Sequence, residues 1–162
     1  MISLQLPETL FSPQTAVFPL ITFRPIQHQD KKAVHQACFF ERPFLPFTDH
    51  FNHMLQWQAK GRCCWIIACE QADGIVGSGQ LICYPHSSEL ANLAVVSAYQ
   101  GQGIGTALIE ILTAVAAHAH IPHLEISVHS DNQRAKKLYE RLGFELDRQI
   151  GMPPAFVLRR KI

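Results

Sequence analysis

The order of apolar and polar residues predicts a chain that starts mainly as strands and continues as alternating strands and helices. Short apolar runs bounded by turn residues indicate strands, and apolar positions three or four apart indicate helices. The predicted strands are residues 21–24, 64–69, 75–84, 89–96, 124–129, 144–150 and 155–161. Helices are predicted over residues 30–40, through Phe51, Leu55 and Gln58, from Ile104 to a point before Pro122, and from Ser130 onward. This order predicts a mixed α/β sheet.

Turn and cap signals mark the ends of several predicted elements. Asp73 and Gly74 lie between two strands and predict an antiparallel hairpin. Ser130 and Gln133 have the spacing of a capping box at the start of the last helix. Gly143 suits the left-handed residue that follows the end of that helix.

Length and composition narrow the class of protein. The chain has 162 residues, of which 48% are hydrophobic and 17% charged, as expected for one folded domain. Residues 1–20 are rich in Pro, Thr and Gln, so we interpret them as an irregular lead-in to a single domain over residues 21–162. The net charge of +1 favours neither a nucleic acid nor a membrane as partner. Any anionic ligand must therefore be held by local geometry.

The cysteines and the first residues bear on location. Five cysteines are an odd number and do not form a disulfide framework, so we expect packed, reduced thiols. Residues 1–20 contain no Lys or Arg, which a secretory signal requires, and no apolar run approaches the ~20 residues of a membrane span. These features predict a cytoplasmic protein.

A glycine-rich turn joins a predicted strand to a predicted helix. Residues 100–106 have the sequence QGQGIGT. Glycine lets the backbone approach a ligand closely, and the first N–H groups of a helix favour an anion. The turn lacks the lysine of a Walker A loop, and its third glycine comes one residue early for a dinucleotide-binding fingerprint. It therefore predicts a phosphate site of another kind, with a turn that binds no ligand as the alternative.

Two separated motifs resemble the GNAT family of N-acetyltransferases. Residues 100–105 match its pyrophosphate signature, Q/R-x-x-G-x-G/A, and residues 132–144 match N-x-x-A-x-x-L-Y-E-x-x-G-F. Leu93, Ala94 and Val95 resemble the end of the family's fourth strand. The resemblance covers residues 21–162. It implies the acyl-CoA N-acyltransferase fold, a twisted and mostly antiparallel sheet with splayed fourth and fifth strands and about four helices.

The resemblance implies acetyl-CoA as cosubstrate and no metal. The N–H groups of residues 101–106 would bind the pyrophosphate, and the backbone of Leu93 and Val95 would pair with the pantetheine amides. The residues implied to bind the cofactor are Leu93, Ala94, Val95, Gln100, Gly101, Gln102, Gly103, Ile104, Gly105, Thr106, Asn132 and Ala135. The candidates for the 3′-phosphate are Arg134, Lys136 and Lys137.

The resemblance also implies catalytic residues and leaves the base open. Tyr139 matches the tyrosine that gives a proton to the departing sulfur, although a core tyrosine would fit the same pattern. Glu89 falls where the histone-type members carry their glutamate base, although it could be a solvated strand end. Members that act on peptide N-termini carry their glutamate where this chain has Ser127; Glu125 lies two residues earlier on the same strand face. The base is therefore Glu89, Glu125 or water alone.

The implied activity is acetyl transfer to a primary amine of a small molecule or peptide, by direct attack in a ternary complex. A degenerate domain that binds acyl-CoA and acts through a partner protein is the alternative. Residues 39–53 and 85–89 are implied to face the acceptor. Family members are often dimers, so a homodimer through the C-terminal strands is compatible with the sequence. The nine histidines show no recognised spacing of metal ligands.

Overall fold

The computed structural model describes Leu4 and residues 20–162. The strands of this part of the chain are β1 (Ile21–Pro25), β2 (Cys63–Glu70), β3 (Gly74–Cys83), β4 (Ser88–Val95), β5 (His123–His129), β6 (Glu145–Ile150) and β7 (Ala155–Lys161). Its α-helices are α1 (Lys31–Cys38), α2 (Phe44–Ala59), α3 (Ile104–His118) and α4 (Gln133–Arg141). Short 3₁₀ helices cover His28–Asp30 and Ser97–Tyr99.

The seven strands form one sheet in the order β1-β2-β3-β4-β5-β7-β6. Neighbouring strands are antiparallel except β4 and β5, which are parallel. In the described strands β4 and β5 pair at two positions, Glu89 with Glu125 and Leu90 with Ile126, and then separate. The predicted mixed α/β fold, the hairpin of β2 and β3, and the splayed fourth and fifth strands are therefore confirmed.

The sheet separates two apolar clusters, because side chains alternate between its faces. One cluster contains Leu108 and Leu112 of α3 together with Tyr139 of α4. The other contains Phe47 and Phe51 of α2 together with Val34, Trp65 and Ile82. We refer to these as the α3/α4 face and the α1/α2 face.

Two helix starts differ from the sequence-based prediction. The second helix is longer than predicted, since α2 spans 16 residues and includes Pro46 in its first turn. A proline is tolerated there because the first N–H groups of a helix have no partner inside it. The predicted capping box of Ser130 and Gln133 is wrong. Asn132 caps α4 instead, its Oδ1 accepting from the N–H of Ala135 at 3.1 Å.

The prediction for the end of α4 is confirmed, and the prediction for the first residues of the chain is not tested. Gly143 has φ +84°, which confirms the left-handed residue after α4. The predicted irregular lead-in over residues 1–20 lies outside the described residues apart from Leu4 and Leu20. The N–H of Leu4 donates to the carbonyl of Gly61 at 2.8 Å, and its side chain is buried in the cluster on the α3/α4 face.

Glycines in β3 let α3 approach the sheet closely. A Cβ placed on Gly79 would lie 2.8 Å from Cδ2 of Leu93 and 3.2 Å from Cδ1 of Leu112. A Cβ on Gly77 would lie 3.1 Å from Cγ2 of Ile104. Since packed interiors have little free space, these contacts require residues without a side chain. The close approach sets the height of α3 above β3 and β4.

We expect Gly79→Ala to lower the free energy of unfolding by about 1–3 kcal/mol, because the added methyl overpacks the contacts with Leu93 of β4 and Leu112 of α3. Urea unfolding followed by circular dichroism measures the change. Gly105→Ala is the control, since its Cβ would meet nothing closer than 3.7 Å. Equal stability of Gly79→Ala and the unmodified protein would contradict this account of the packing.

Candidate functional site

A cavity of about 610 Å³ lies between the end of β4, the start of α3, and α4. This volume falls in the range of cofactor pockets. The predicted residues that line it are Leu93, Ala94, Val95, Gln100, Gly101, Gly103, Ile104, Gly105, Thr106, Asn132, Ala135 and Tyr139. The structure therefore brings together two motifs that are some 30 residues apart in the chain.

Of the predicted cofactor-binding residues Gln102 does not line this cavity, and of the predicted catalytic residues Glu89 does not. The side chain of Gln102 turns back, and its Nε2 donates to the carbonyl of Ala98 at 3.2 Å. Glu89 lies elsewhere on β4. Its neighbour Leu90 belongs to the cluster on the α3/α4 face, so strand alternation turns Glu89 towards the α1/α2 face.

The glycine turn leaves backbone donors free at the cavity. Gly101 and Gly103 have φ of +81° and +91°, which side chains other than glycine rarely adopt. Gly103 is the N-cap of α3 and has no side chain to cap it. The N–H groups of Ile104, Gly105 and Thr106 therefore have no partner within the helix. Together with the helix dipole they form an anion site.

Positive side chains of α4 surround the same space. Arg134, Lys137 and Arg141 line the cavity, and no acidic residue does so in the described part of the chain. The spacing i, i+3 and i+7 puts these three residues on one face of the helix. The sequence-based prediction did not include Arg141, although its spacing from Arg134 and Lys137 indicates the same face of the helix. Lys136, one of the three 3′-phosphate candidates, instead pairs with Glu140 at 3.4 Å.

Gln100 connects three parts of the site. Its Oε1 accepts from Nη1 of Arg134 at 3.0 Å, and its Nε2 donates to the carbonyl of Val95 at 3.1 Å. The first residue of the turn motif thus fixes the end of β4 and the first turn of α4 relative to the glycine turn. The guanidinium of Arg134 is directed towards the turn by the same bond.

Tyr139 is buried at the wall of the cavity. The residue is 8% exposed, and its ring packs edge-on against Phe144 with centroids 6.4 Å apart. Burial raises the pKa of the Tyr139 phenol. The hydroxyl therefore keeps its proton at neutral pH and is able to act as an acid.

Among the described strands, none pairs with the outer edge of β4 beyond its two positions of pairing with β5. Ala94 and Val95 pair with Ser78 and Gly77 of β3 on the other edge. A β-bulge precedes them, where the register with β3 shifts and Asn92 adopts φ +50°. A free strand edge can pair with an extended, amide-containing ligand in the way an added strand would.

The two candidate carboxylates lie side by side in different environments. Glu125 accepts from both terminal nitrogens of Arg148, at 2.9 and 3.2 Å. Glu89 has no hydrogen bond or ion pair with any residue that the structure describes. Burial, and after it the charge of Glu125, raises the pKa of Glu89. Glu89 is therefore the carboxylate free to accept a proton.

The histidine and cysteine side chains of the described residues do not form a further site. Among Leu4 and residues 20–162, no group of three or more His, Cys, Asp and Glu side chains is placed to hold a metal ion. Burial raises the pKa of the Cys63 thiol to about 12, so this thiol is a poor nucleophile. None of the described helices combines the length and the apolar character needed to cross a membrane.

Comparison with known proteins identifies the class to which this fold and cavity belong. Residues 28–144 match the sequence model of the Acetyltransferase (GNAT) family. The match covers more than half of the chain. The chain therefore belongs to the GNAT acetyltransferase family, and the resemblance carried by the two motifs is confirmed.

Individual relatives are similar over different lengths. Mycothiol acetyltransferase of Jonesia denitrificans is 44% identical over 72 residues, which are 43% of this chain and 23% of that protein. L-2,4-diaminobutyric acid acetyltransferase of Bordetella parapertussis is 25% identical over 135 residues, 82% of this chain and 72% of that protein. The PaiA N-acetyltransferase of Thermoplasma acidophilum, solved with coenzyme A, aligns with TM-score 0.75 and 16% identity over 88% of this chain and 99% of its own. This last similarity shows the shared fold.

Proposed function

We propose that this chain transfers the acetyl group of acetyl-CoA to a primary amine by direct attack in a ternary complex. The observation that carries the proposal is the cavity itself. It has free helix N–H groups and three cationic side chains without an acidic residue among those described, and it includes Tyr139. An anionic cofactor is complementary to such a site, even though the whole chain has a net charge of only +1.

The residues of the cavity fit the parts of acetyl-CoA. The N–H groups of residues 101–106 bind the pyrophosphate, and Arg134, Lys137 and Arg141, which line the same cavity, supply positive charge for the phosphates. The free edge of β4 at Leu93 and Val95 pairs with the amides of the pantetheine arm. Acetyl-CoA supplies the acetyl group as a thioester.

The proposed chemistry needs a neutral amine and a protonated leaving group. Glu89 accepts a proton, directly or through water, from the amine as its nitrogen bonds to the carbonyl carbon. The N–H of Val95, or of a neighbour in β4, donates to the carbonyl oxygen. Tyr139 donates its proton to the sulfur as the carbon–sulfur bond breaks. Because both substrates are bound together, no covalent enzyme intermediate is required.

The splayed strands support this division of roles. Tyr139 lines the cavity on the α3/α4 face, whereas Glu89 faces the α1/α2 face. The gap between β4 and β5 opens directly after Leu90, one residue beyond Glu89. An amine on the α1/α2 face would therefore meet a thioester that enters the gap from the other side.

A domain that binds acyl-CoA without turnover is the second candidate. The presence of both a buried phenol and a carboxylate without a partner in the described part of the chain argues against it, since binding alone needs neither. Release of free thiol from acetyl-CoA in the presence of a panel of amines tests the choice. Binding of coenzyme A without thiol release from any amine would favour the binding domain.

We expect Gly105→Ala to weaken the binding of coenzyme A by about tenfold or more while the protein becomes equally or more stable. The added Cβ would lie 3.7 Å from Val95 and 3.9 Å from Leu138, within the cavity wall that the ligand approaches. Alanine in place of a helical glycine stabilises by about 0.5–1 kcal/mol. Calorimetry and urea unfolding measure the two effects. Unchanged affinity would show that the ligand does not approach this part of the helix.

We expect Tyr139→Phe to lower kcat by about 100-fold, because proton donation to the leaving group is lost. The affinity for coenzyme A should change little, since the ring is retained. Tyr99→Phe is the matched control, as its hydroxyl donates to Asp73 and its loss should leave kcat within a factor of about three. A Tyr139→Phe enzyme with unaltered kcat would remove the tyrosine from its role.

The pH profile of kcat/KM tests the choice of base. The usual pKa of a glutamate is about 4.3. Because the pKa of Glu89 is raised, the acidic limb of the profile should lie above that value. Glu89→Gln should lower kcat by about 100-fold or more and remove this limb.

Glu125→Gln is the matched control for the pH test. Removing its charge should lower the pKa of Glu89 and shift the limb to lower pH, with turnover retained at the plateau. Loss of activity in Glu125→Gln together with retention in Glu89→Gln would reverse the assignment.

A further inference from the structure

Four polar side chains form a hydrogen-bonded network on the α1/α2 face. Nη2 of Arg42, in the connection between α1 and α2, donates to Oδ1 of Asn92 at 2.9 Å. Nδ2 of Asn92 donates to Oε1 of Gln80 at 2.8 Å and lies 3.3 Å from Nε2 of His50. The bulge of β4 is thereby tied to β3, to α2 and to the α1–α2 connection.

The direction of each bond follows from the guanidinium, which can only donate. Asn92 must present its oxygen to Arg42, so its amide nitrogen donates to Gln80 and His50. Nε2 of His50 therefore accepts, and the imidazole is neutral with its proton on Nδ1. Burial, followed by the charges of Arg42 and His53, lowers the pKa of His50 in agreement with this state. Arg42 is thus the one charged member of the network.

The network is maintained at a cost to stability. Gln80 is 0% exposed, and its Nε2 has no hydrogen-bond partner among the residues that the structure describes. A buried donor without a partner is unfavourable, and an apolar side chain of similar size would avoid the loss. Asn92 also adopts a left-handed backbone that asparagine tolerates better than most residues. These features orient the carboxamide of Asn92, which in turn orients the guanidinium of Arg42.

Arg42 retains donors for a ligand. The residue is exposed, and its guanidinium carbon lies 4.9 Å from the ring centroid of Phe39. Among the described residues, the bond to Asn92 is the one hydrogen bond that the guanidinium of Arg42 makes. The planar guanidinium is therefore held by a ring and by one hydrogen bond, and its other N–H groups remain available on an exposed residue. Such a fork matches a carboxylate bidentately.

The network and the proposed base share one face of β4. Glu89 and Asn92 are three residues apart, or roughly 10 Å along an extended strand. Ala91 between them packs into the cluster on the α1/α2 face, and Trp57 and Tyr84 stand beside the Glu89 end with ring centroids 5.8 Å apart. This face has a carboxylate at one end and a guanidinium at the other, which is the charge pattern complementary to an amine that also carries a carboxylate.

We propose that the acceptor is a small amine that also carries a carboxylate, as amino acids do, and that Arg42 binds this carboxylate while the amine lies at Glu89. The proposal rests on the proposed transferase function and names its substrate class. Asn92, Gln80 and His50 are positioning residues that act through Arg42. The carboxylate itself is unchanged in the reaction.

Matched pairs of amines with and without the carboxylate test the proposal. Lysine is compared with cadaverine, and ornithine with putrescine, in a thiol-release assay at saturating acetyl-CoA. We expect kcat/KM to favour the carboxylate-bearing member of at least one pair by about tenfold or more, mainly through KM. Arg42→Ala should lower kcat/KM for the carboxylate-bearing amine about 10- to 100-fold. It should change kcat/KM for the amine without the carboxylate by less than about threefold.

Two further variants separate charge recognition from a general effect. Arg42→Lys keeps the charge without the fork and should retain part of the preference. Lys32→Ala removes one exposed positive charge from α1 and should leave the preference intact. Calorimetry with coenzyme A should give the same affinity for all three variants, which shows that each is folded.

A binding measurement provides a readout without turnover. The acetylated form of the preferred carboxylate-bearing amine, or the amine itself where none is turned over, is titrated into the complex with coenzyme A. Arg42→Ala should weaken this binding and Lys32→Ala should not. Coenzyme A binding without thiol release from any amine contradicts the transferase function, and the titration then still decides whether Arg42 holds a carboxylate. The proposed substrate class is overturned if the enzyme uses the decarboxylated amines or peptide N-termini equally well or better. It is also overturned if Arg42→Ala leaves the preference unchanged.

Discussion

The parallel pairing of β4 with β5, limited to two residue pairs, is the constraint from which the rest of the site follows. Parallel neighbours cannot be joined by a tight turn, so the chain crosses over through α3. This crossover puts the N-terminus of α3 beside the end of β4, and the early separation of the strands leaves the β4 edge without a partner. One topological feature therefore provides both the anion site and the free strand edge.

Much of this arrangement is visible in the sequence because it depends on local patterns. The succession of strands and helices along the chain, the glycine turn and the motif around Tyr139 all lie within short segments. The capping box of Ser130 and Gln133 failed because two polar residues at the start of α4 compete, and Asn132 reaches the N–H of Ala135 instead. The side chain of Gln102 bonds to the carbonyl of Ala98 and not to the cavity, because the local path of the backbone decides where it points. The motif does not specify that path.

The polar network of the α1/α2 face could not be predicted from the sequence. Arg42 and Asn92 are 50 positions apart, and His50 and Asn92 are 42 apart. Their contact requires the docking of α2 on β2, the register of β3 with β4, and a bulge that turns Asn92 to this face. Each of these is a tertiary property. The pairing of Glu125 with Arg148, which leaves Glu89 as the free carboxylate, depends on long-range packing in the same way.

The bond between Gln100 and Arg134 has a consequence for how related sequences vary. Gln100 uses its oxygen towards Arg134 and its nitrogen towards the carbonyl of Val95. An arginine at position 100, which the turn motif also allows, could still reach that carbonyl but would set two guanidinium groups against each other. Positions 100 and 134 should therefore covary among related sequences. Where position 100 is arginine, position 134 should be neutral or acidic.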